Sequence, residues 1–370
     1  MLIPYQQLSE EQKGVIRRIS RETGDLFVEG PPGSGKTLIS LYTLVDIVRE
    51  SNVRPLLLIY NHSLFGYLST ALKELGIQDN LTIVTKDKFF WDKASDKPDR
   101  SLSYKEKYEM ILDNVLNQEL KKEFDVTLVD EVQDLSKKEW DIVNKISSRV
   151  LALGDFNQGV YKTDLSRNHV TQRGFFERLS KIFRFHKNIA KLAQGFSRTN
   201  ESLEGMVSKD SSTQPKLIDT EQEMRFSKIS EVLSEIKVFR ERIGIISADR
   251  IELSMLSEYL TSVNVDHHFY DSNTDLRTHD FSSTDPLLIS SFSAKGLEFE
   301  HVILFGFEEN SEKIKGLKKE DKLRDVIYVS ITRTNKNLYI IRTPETVKEL
   351  NELVITSSNS NNLESIEDLF

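Results

Sequence analysis

Apolar residues in this chain fall into short continuous runs, separated by stretches in which they recur every three or four positions. The runs of the first half are Leu26–Val28, Leu56–Tyr60, Thr82–Val84, Val126–Val129 and Val150–Leu153. Those of the second half are Ile243–Ile246, Leu287–Ser290, Val302–Phe305 and Leu338–Ile341. Runs this short, rich in Val, Ile and Leu, predict strands buried on both faces. Between the first two runs, Leu38, Leu41, Leu44, Val45 and Val48 share one helical face, which predicts a helix from Thr37 to Glu50. Further helical patterns lie near 186–196, 226–240, 250–261 and 321–332. The charged stretch 91–122 predicts a small helical surface insertion, and the polar segment Asn200–Thr213 reads as a loop. Strands alternating with helices predict parallel sheets. The expected organisation is therefore two α/β domains, 1–175 and 176–350, and a tail, 351–370, whose simple stretch Ser357–Asn362 reads as flexible.

Composition narrows the class. The chain has 370 residues, 38% hydrophobic and 29% charged, as expected for a globular protein with two cores. No apolar run approaches the roughly 18–20 residues of a membrane span. The first residues, MLIPYQQLSEEQ, lack the basic and apolar regions of a secretion signal, so a cytoplasmic protein is expected. With no cysteine, disulfides, thiolate zinc sites and cysteine nucleophiles are excluded. The adjacent His267 and His268 lack a partner at metal-ligand spacing and read as structural. A net charge of −8 argues against a protein that coats nucleic acid non-specifically, but a local basic groove remains compatible with it.

One segment carries strong chemistry. Gly30-Pro31-Pro32-Gly33-Ser34-Gly35-Lys36-Thr37 fits G-x-x-x-x-G-K-S/T and stands between a predicted strand and a predicted helix. Glycines let successive N–H groups turn into one concavity, which together with a helix N-terminus binds phosphate oxygens. Lys36 is expected on the β- and γ-phosphates and the Thr37 hydroxyl on Mg²⁺. The run Phe124–Val129 then ends in Asp130-Glu131. Asp130 is expected to hold Mg²⁺ through water, and Glu131 to orient or deprotonate the attacking water. A third run ends in Gly154-Asp155, followed by Gln158, a neutral donor and acceptor suited to sensing a terminal phosphate. All three termini fall at the ligand-binding edge of a parallel sheet.

These motifs, with others in order from about residue 5 to 343, resemble superfamily-one helicases of the UvrD/Rep/PcrA type. Leu8–Gln12 is similar to the family's adenine-reading segment, with Gln12 as the amide. Asp130–Asp134 matches D-E-x-Q-D, and Gly154–Gln158 matches G-D-x-x-Q. Ile182-Phe183-Arg184 stands where the family has N-Y-R; the resemblance puts Phe183 on the base and Arg184 on the γ-phosphate. Ala294–Phe299 matches A-K-G-L-E-F, whose glutamate, here Glu298, is implied to contact ribose. Tyr328–Arg333 resembles Y-V-A-x-T-R and implies a second arginine finger, Arg333. The resemblance implies two RecA-like domains with ATP and Mg²⁺ in the cleft between them. It also implies hydrolysis driven by domain closure, single-stranded or tailed DNA as partner, and 3′-to-5′ movement.

The chain departs from that pattern in two ways. Only about 40 residues separate Val84 from the Asp-Glu strand, and 184–290 is equally compact, so the accessory insertions that grip duplex are reduced or absent. After G-D-x-x-Q, Tyr161 fits the family's aromatic, but Thr163 and Asp164 replace the following Trp and Arg. Phe292 replaces a histidine, and reads either as a stacking residue or as packed core. Asn61, His62 and Thr85, at strand ends, are candidate nucleic-acid contacts or plain polar loop tips. The acidic end Leu363–Phe370 reads as a frayed tail, a helix on its own domain or a docking peptide. Three functions follow: a DNA helicase or single-strand translocase; an ATPase switch serving a partner such as a nuclease or a replication, repair or defence factor; and a nucleotide-binding regulator without turnover, against which Glu131 argues.

Overall fold

The structure, a computed structural model, describes residues 3–49, 53–60, 62–96, 98–99, 101–159, 163–211, 213–270, 276 and 279–354, with 78 and 158 described by backbone only. The first half folds into β1 (Asp25–Glu29), β2 (Pro55–Ile59), β3 (Thr82–Thr85), β4 (Phe124–Val129), β5 (Ser147–Gly154) and β6 (Gly174–Arg178). They form one parallel sheet in the order β3-β2-β4-β5-β1-β6. Side chains alternate between its faces. Leu26 and Val28 of β1 pack in one core with Leu151 and Leu153 of β5, while Phe27, Val150 and Ala152 pack in the other. Each face is covered by helices, among them Glu10–Arg21 and Lys36–Arg49 on the first and Lys137–Ile146 on the second.

A short parallel pair, β7 (Ile182–His186) and β8 (Val207–Lys209), leads into the second domain. There β9 (Lys216–Asp219), β10 (Ile243–Ser247), β11 (His268–Phe269), β12 (Leu287–Ser290), β13 (Phe299–Leu304) and β14 (Thr334–Arg342) make a second parallel sheet, ordered β11-β12-β10-β13-β14-β9. Both of its faces are also packed. Helices Lys187–Gln194, Arg225–Ile236, Arg250–Ser262 and Leu323–Ile331 lie where periodicity placed them.

Two local readings change. The chain leaves the first sheet only after Arg178, and Leu179 still packs in the first core, so a division at 175 falls inside β6. Its sequence, Gly174-Phe175-Phe176-Glu177-Arg178, is an edge strand with both phenylalanines exposed and gives no buried apolar run. The stretch expected as a loop from Asn200 to Thr213 contains a helical turn, Leu203–Met206, and β8. The stretch 91–122 holds only the end of one helix, Lys86–Lys93, and the whole of a second, Tyr104–Leu116, started by a Ser103/Glu106 capping box.

Candidate nucleotide site

Strand order brings three motif ends together. β5 lies between β1 and β4, with Glu29 beside Gly154 and Val129 beside Ala152. Gly30 donates its N–H to the Gly154 carbonyl at 3.2 Å. The phosphate loop turns on Gly33 and Gly35, at φ +76° and +91°, a region that favours glycine. Lys36 is buried and donates to the carbonyls of Gly30 (2.6 Å) and Pro31 (3.2 Å). Burial lowers its pKa against the opposing charges of Glu131, Asp155 and Asp130. Thr37 Oγ1 donates to Asp130 Oδ2 at 3.2 Å. A hydroxyl and a carboxylate at this separation form a hard oxygen donor set, which fits Mg²⁺.

Glu131 follows with φ +55°, left-handed for a residue that has a Cβ. Its backbone N–H donates to Asp130 Oδ1 at 3.0 Å, and the Gln133 amide donates to its carboxylate. Gln133 also accepts the Asp155 N–H at 3.0 Å, linking the second and third motifs. Burial, and then the charge of Glu131, push Asp130 upward. Burial alone would raise Glu131 too, but Lys295 and then Lys36 hold it below the usual glutamate value. Gln12 closes a capping box with Ser9 and donates its amide to the Ser34 carbonyl at 2.8 Å. It thus braces the phosphate loop while keeping one N–H and one lone pair for a base edge.

The second domain supplies the opposite wall. Phe183, half-buried, donates its N–H to the Gly33 carbonyl at 2.9 Å. Arg184 donates Nε to Glu298 at 2.9 Å and Nη1 to the Thr332 carbonyl at 3.2 Å. Arg333 is 2% exposed and bonds the carbonyls of Val329 and Leu297 and the Thr332 hydroxyl. Burial, and then the Arg184 charge, lower its pKa to about 9. Burial works against ionisation of Glu298, but Arg184 and Arg242 outweigh it and hold the carboxyl low. Pro32, Gly33, Gly35, Lys36, Thr37, Gln12, Glu131, Phe183, Arg184, Glu298 and Arg333 all line one cleft of about 380 Å³, within the range of small-molecule pockets. Asp130 does not line it but bonds Thr37, which does. The Gln158 backbone ends the turn Phe156–Gln158, and its side chain lies outside the described atoms.

The candidate nucleic-acid residues do not behave alike. His62 is exposed at the start of helix His62–Glu74. Next to it, Ser63 Oγ donates to the Ser293 carbonyl at 2.5 Å, so the two domains meet there. Phe292, adjacent to Ser293, packs on the second core, and Lys313 Nζ sits 4.3 Å over its ring. Thr85 is a correction: at 4% exposure it offers no surface to a strand. The neighbouring Lys86 is enclosed as well, bonded to Glu139 at 2.8 Å and set against the rings of Tyr60 and Tyr108. Asn61 and Tyr161 lie outside the described residues. Thr163 bonds the Gln133 carbonyl (3.1 Å), and Asp164 accepts the Lys137 N–H (2.7 Å) at a helix start. The residues standing where the family has Trp and Arg thus anchor the loop. Sequence reasoning assigned no role to Gln133, Lys295 or Lys313; the first two stood in plain sight within matched motifs, and Lys313 is placed by tertiary contact alone.

No curated protein matches the chain. Among solved structures, the helicase of arterivirus nonstructural protein 10 is 18% identical, with 89% of this chain and 62% of that one covered and a TM-score of 0.42. Its complex with DNA is 16% identical over 92% and 66%, with a TM-score of 0.43. The C-terminal domain of a possible DNA helicase from Lactobacillus plantarum WCFS1 is 18% identical over 46% and 94%, with a TM-score of 0.35. The chain thus spans 62% of the arterivirus helicase's length. An AAA domain family matches residues 12–164, and the UvrD-like helicase C-terminal domain family matches 97–345. Because that second match takes in about two thirds of its residues, the chain belongs to the UvrD-like helicase family.

Proposed function

We propose that the protein is an ATP-hydrolysing DNA helicase or single-strand translocase, moving 3′-to-5′, reduced to its two RecA-like domains and working in the cytoplasm. The observation that carries this reading is that Lys36 and Glu131 of the first domain share one cleft with Arg184 and Arg333 of the second. Phosphoryl transfer is catalysed chiefly by positioning and by charge placed where it develops. Lys36 exchanges the carbonyls of Gly30 and Pro31 for phosphate oxygens. Arg184 leaves Glu298, and Arg333 leaves its backbone carbonyls, to meet the γ-phosphoryl oxygens. Glu131, held ionised, takes the proton of the attacking water as its oxygen bonds to phosphorus and the β–γ bridging oxygen departs with ADP. Thr37 and Asp130 would hold Mg²⁺, which when bound neutralises charge on the phosphate oxygens. With the γ-phosphoryl group gone, both arginines lose their anion and the closed cleft loses its reason to stay shut.

A second reading is a switch: a nucleic-acid-stimulated ATPase that acts on a protein partner without processive unwinding. The burial of Thr85 and Lys86 and the anchoring roles of Thr163 and Asp164 favour it. ATP turnover measured with and without single-stranded DNA, alongside unwinding of a 3′-tailed duplex, separates the two. Stimulation with unwinding supports the helicase, and stimulation alone supports the switch. Absence of turnover sinks both.

A further inference from the structure

Lys295 belongs to the second domain, in the turn from β12 to β13, yet its charge is spent on the first. It is 1% exposed, with Nζ 2.5 Å from Asp134 Oδ2 and 3.7 Å from Glu131 Oε2. The Gln133 amide bonds the same Glu131 oxygen. Two groups, one from each domain, therefore hold a side chain whose backbone is already in the left-handed region. The turn bearing Lys295 is itself pressed onto the first domain. Ser293 accepts from Ser63, and Gly296, at φ +86°, approaches so closely that a Cβ there would lie 3.1 Å from Leu64. The same turn offers the Leu297 carbonyl to Arg333 and the Glu298 carboxylate to Arg184.

We infer that Lys295 is a positioning residue for hydrolysis: it sets the Glu131 carboxylate from across the domain boundary, so the base is in place only when the two domains are closed. This rests on the reading of the protein as an ATPase. Opening the cleft would withdraw Lys295 together with both arginines, since all three belong to the second domain and the turn that bears Lys295 also bonds Arg184 and Arg333. The base and the charge-stabilising groups then engage as a unit, and the open form does not waste ATP.

The competing explanation is that Lys295 only ties the domains together through Asp134. Three variants of the full chain separate the two, assayed for ATP turnover with an oligothymidylate and for affinity toward a fluorescent non-hydrolysable ATP analogue. Lys295→Met is expected to lower kcat at least about 100-fold, with analogue affinity within about threefold of wild type. Lys295→Arg should recover at least about tenfold of that loss, because it keeps the charge. Asp134→Asn should cost less than about tenfold, since Lys295 stays on Glu131. The inference is overturned if Lys295→Met keeps kcat within about threefold of wild type. It is equally overturned if Asp134→Asn, still binding the analogue, loses as much as Lys295→Met. Should Lys295→Met fail to fold, the Asp134→Asn result decides: a loss under about tenfold supports the inference, and one near 100-fold overturns it. A wild-type protein without turnover removes the ATPase reading and this inference with it.

Discussion

The backbone N–H of Phe183 donates to the carbonyl of Gly33 at 2.9 Å, joining the second domain to the middle of the phosphate loop. The contact brings Arg184 so near that a Cβ on Gly33 would lie 2.5 Å from the Arg184 Cβ. Gly33 is therefore required twice, for its φ of +76° and for the approach of the second domain. Gly33→Ala is expected to reduce affinity for a fluorescent ATP analogue at least about tenfold, a loss of about 1.4 kcal/mol. Unchanged affinity would show that the loop and the domain contact relax independently.

Glu131→Gln keeps the size of the side chain and its bond with Gln133, and removes the base. Turnover should fall by about 10²–10⁴ or more, while analogue affinity is retained. Appreciable hydrolysis in this variant, followed by phosphate release, would place the base elsewhere.

Phe292 and Lys313 form a ring-and-cation pair next to the Ser63–Ser293 contact. If a strand crosses there, Phe292→Ala should cost about 1–3 kcal/mol in affinity for a labelled oligothymidylate. Lys313→Ala should lower the salt slope of binding by about one. Fluorescence anisotropy across a salt series reads both, and two null results would confine Phe292 to the core.

His279 is buried in the cleft wall, its ring 5.0 Å from that of His268 and its Nδ1 2.8 Å from the Tyr270 hydroxyl. Burial, then the His268 charge, lowers its pKa to about 4, with Asp280 opposing. His268 in turn has Asp285 3.9 Å away. The unfolded chain takes up the His279 proton below about pH 6.5, and the folded chain only near its lowered value. Stability from this group is thus complete above the unfolded value and lost as pH falls between the two, by about 1–2 kcal/mol after discounting for partial solvation. In His279→Phe, the drop in melting temperature between about pH 7.5 and about pH 5 should be smaller than in wild type by a few degrees. Equal drops would remove His279 as the source.

Much of the first sheet was legible because its inner strands are buried on both faces and read as continuous apolar runs, from Leu56 to Leu153. The edges were not. β6 and β9 carry exposed or charged positions, and β7 is interrupted by Arg184, so no periodicity announced them. The phosphate loop and the Asp130-Glu131 end were legible as motifs because each packs its chemistry into a few consecutive residues. Thr85 was misplaced because burial depends on what folds over a strand end, which the residues around it in the chain do not announce.

Local order along the chain specified the buried strands, the helices beside them and the motif residues of the phosphate loop, since spacing and turn chemistry are set by neighbours a few residues apart. Which groups hold one another was settled by tertiary packing, across 114 residues for Arg184 and Glu298 and 161 for Lys295 and Asp134. Arg184 rests on Glu298, Arg333 on Leu297 and Val329, and Lys295 on Asp134 and Glu131. The Lys295 pairs exist only when the two domains close on each other, because a buried charge is tolerated only beside its partner, and its partners lie in the first domain.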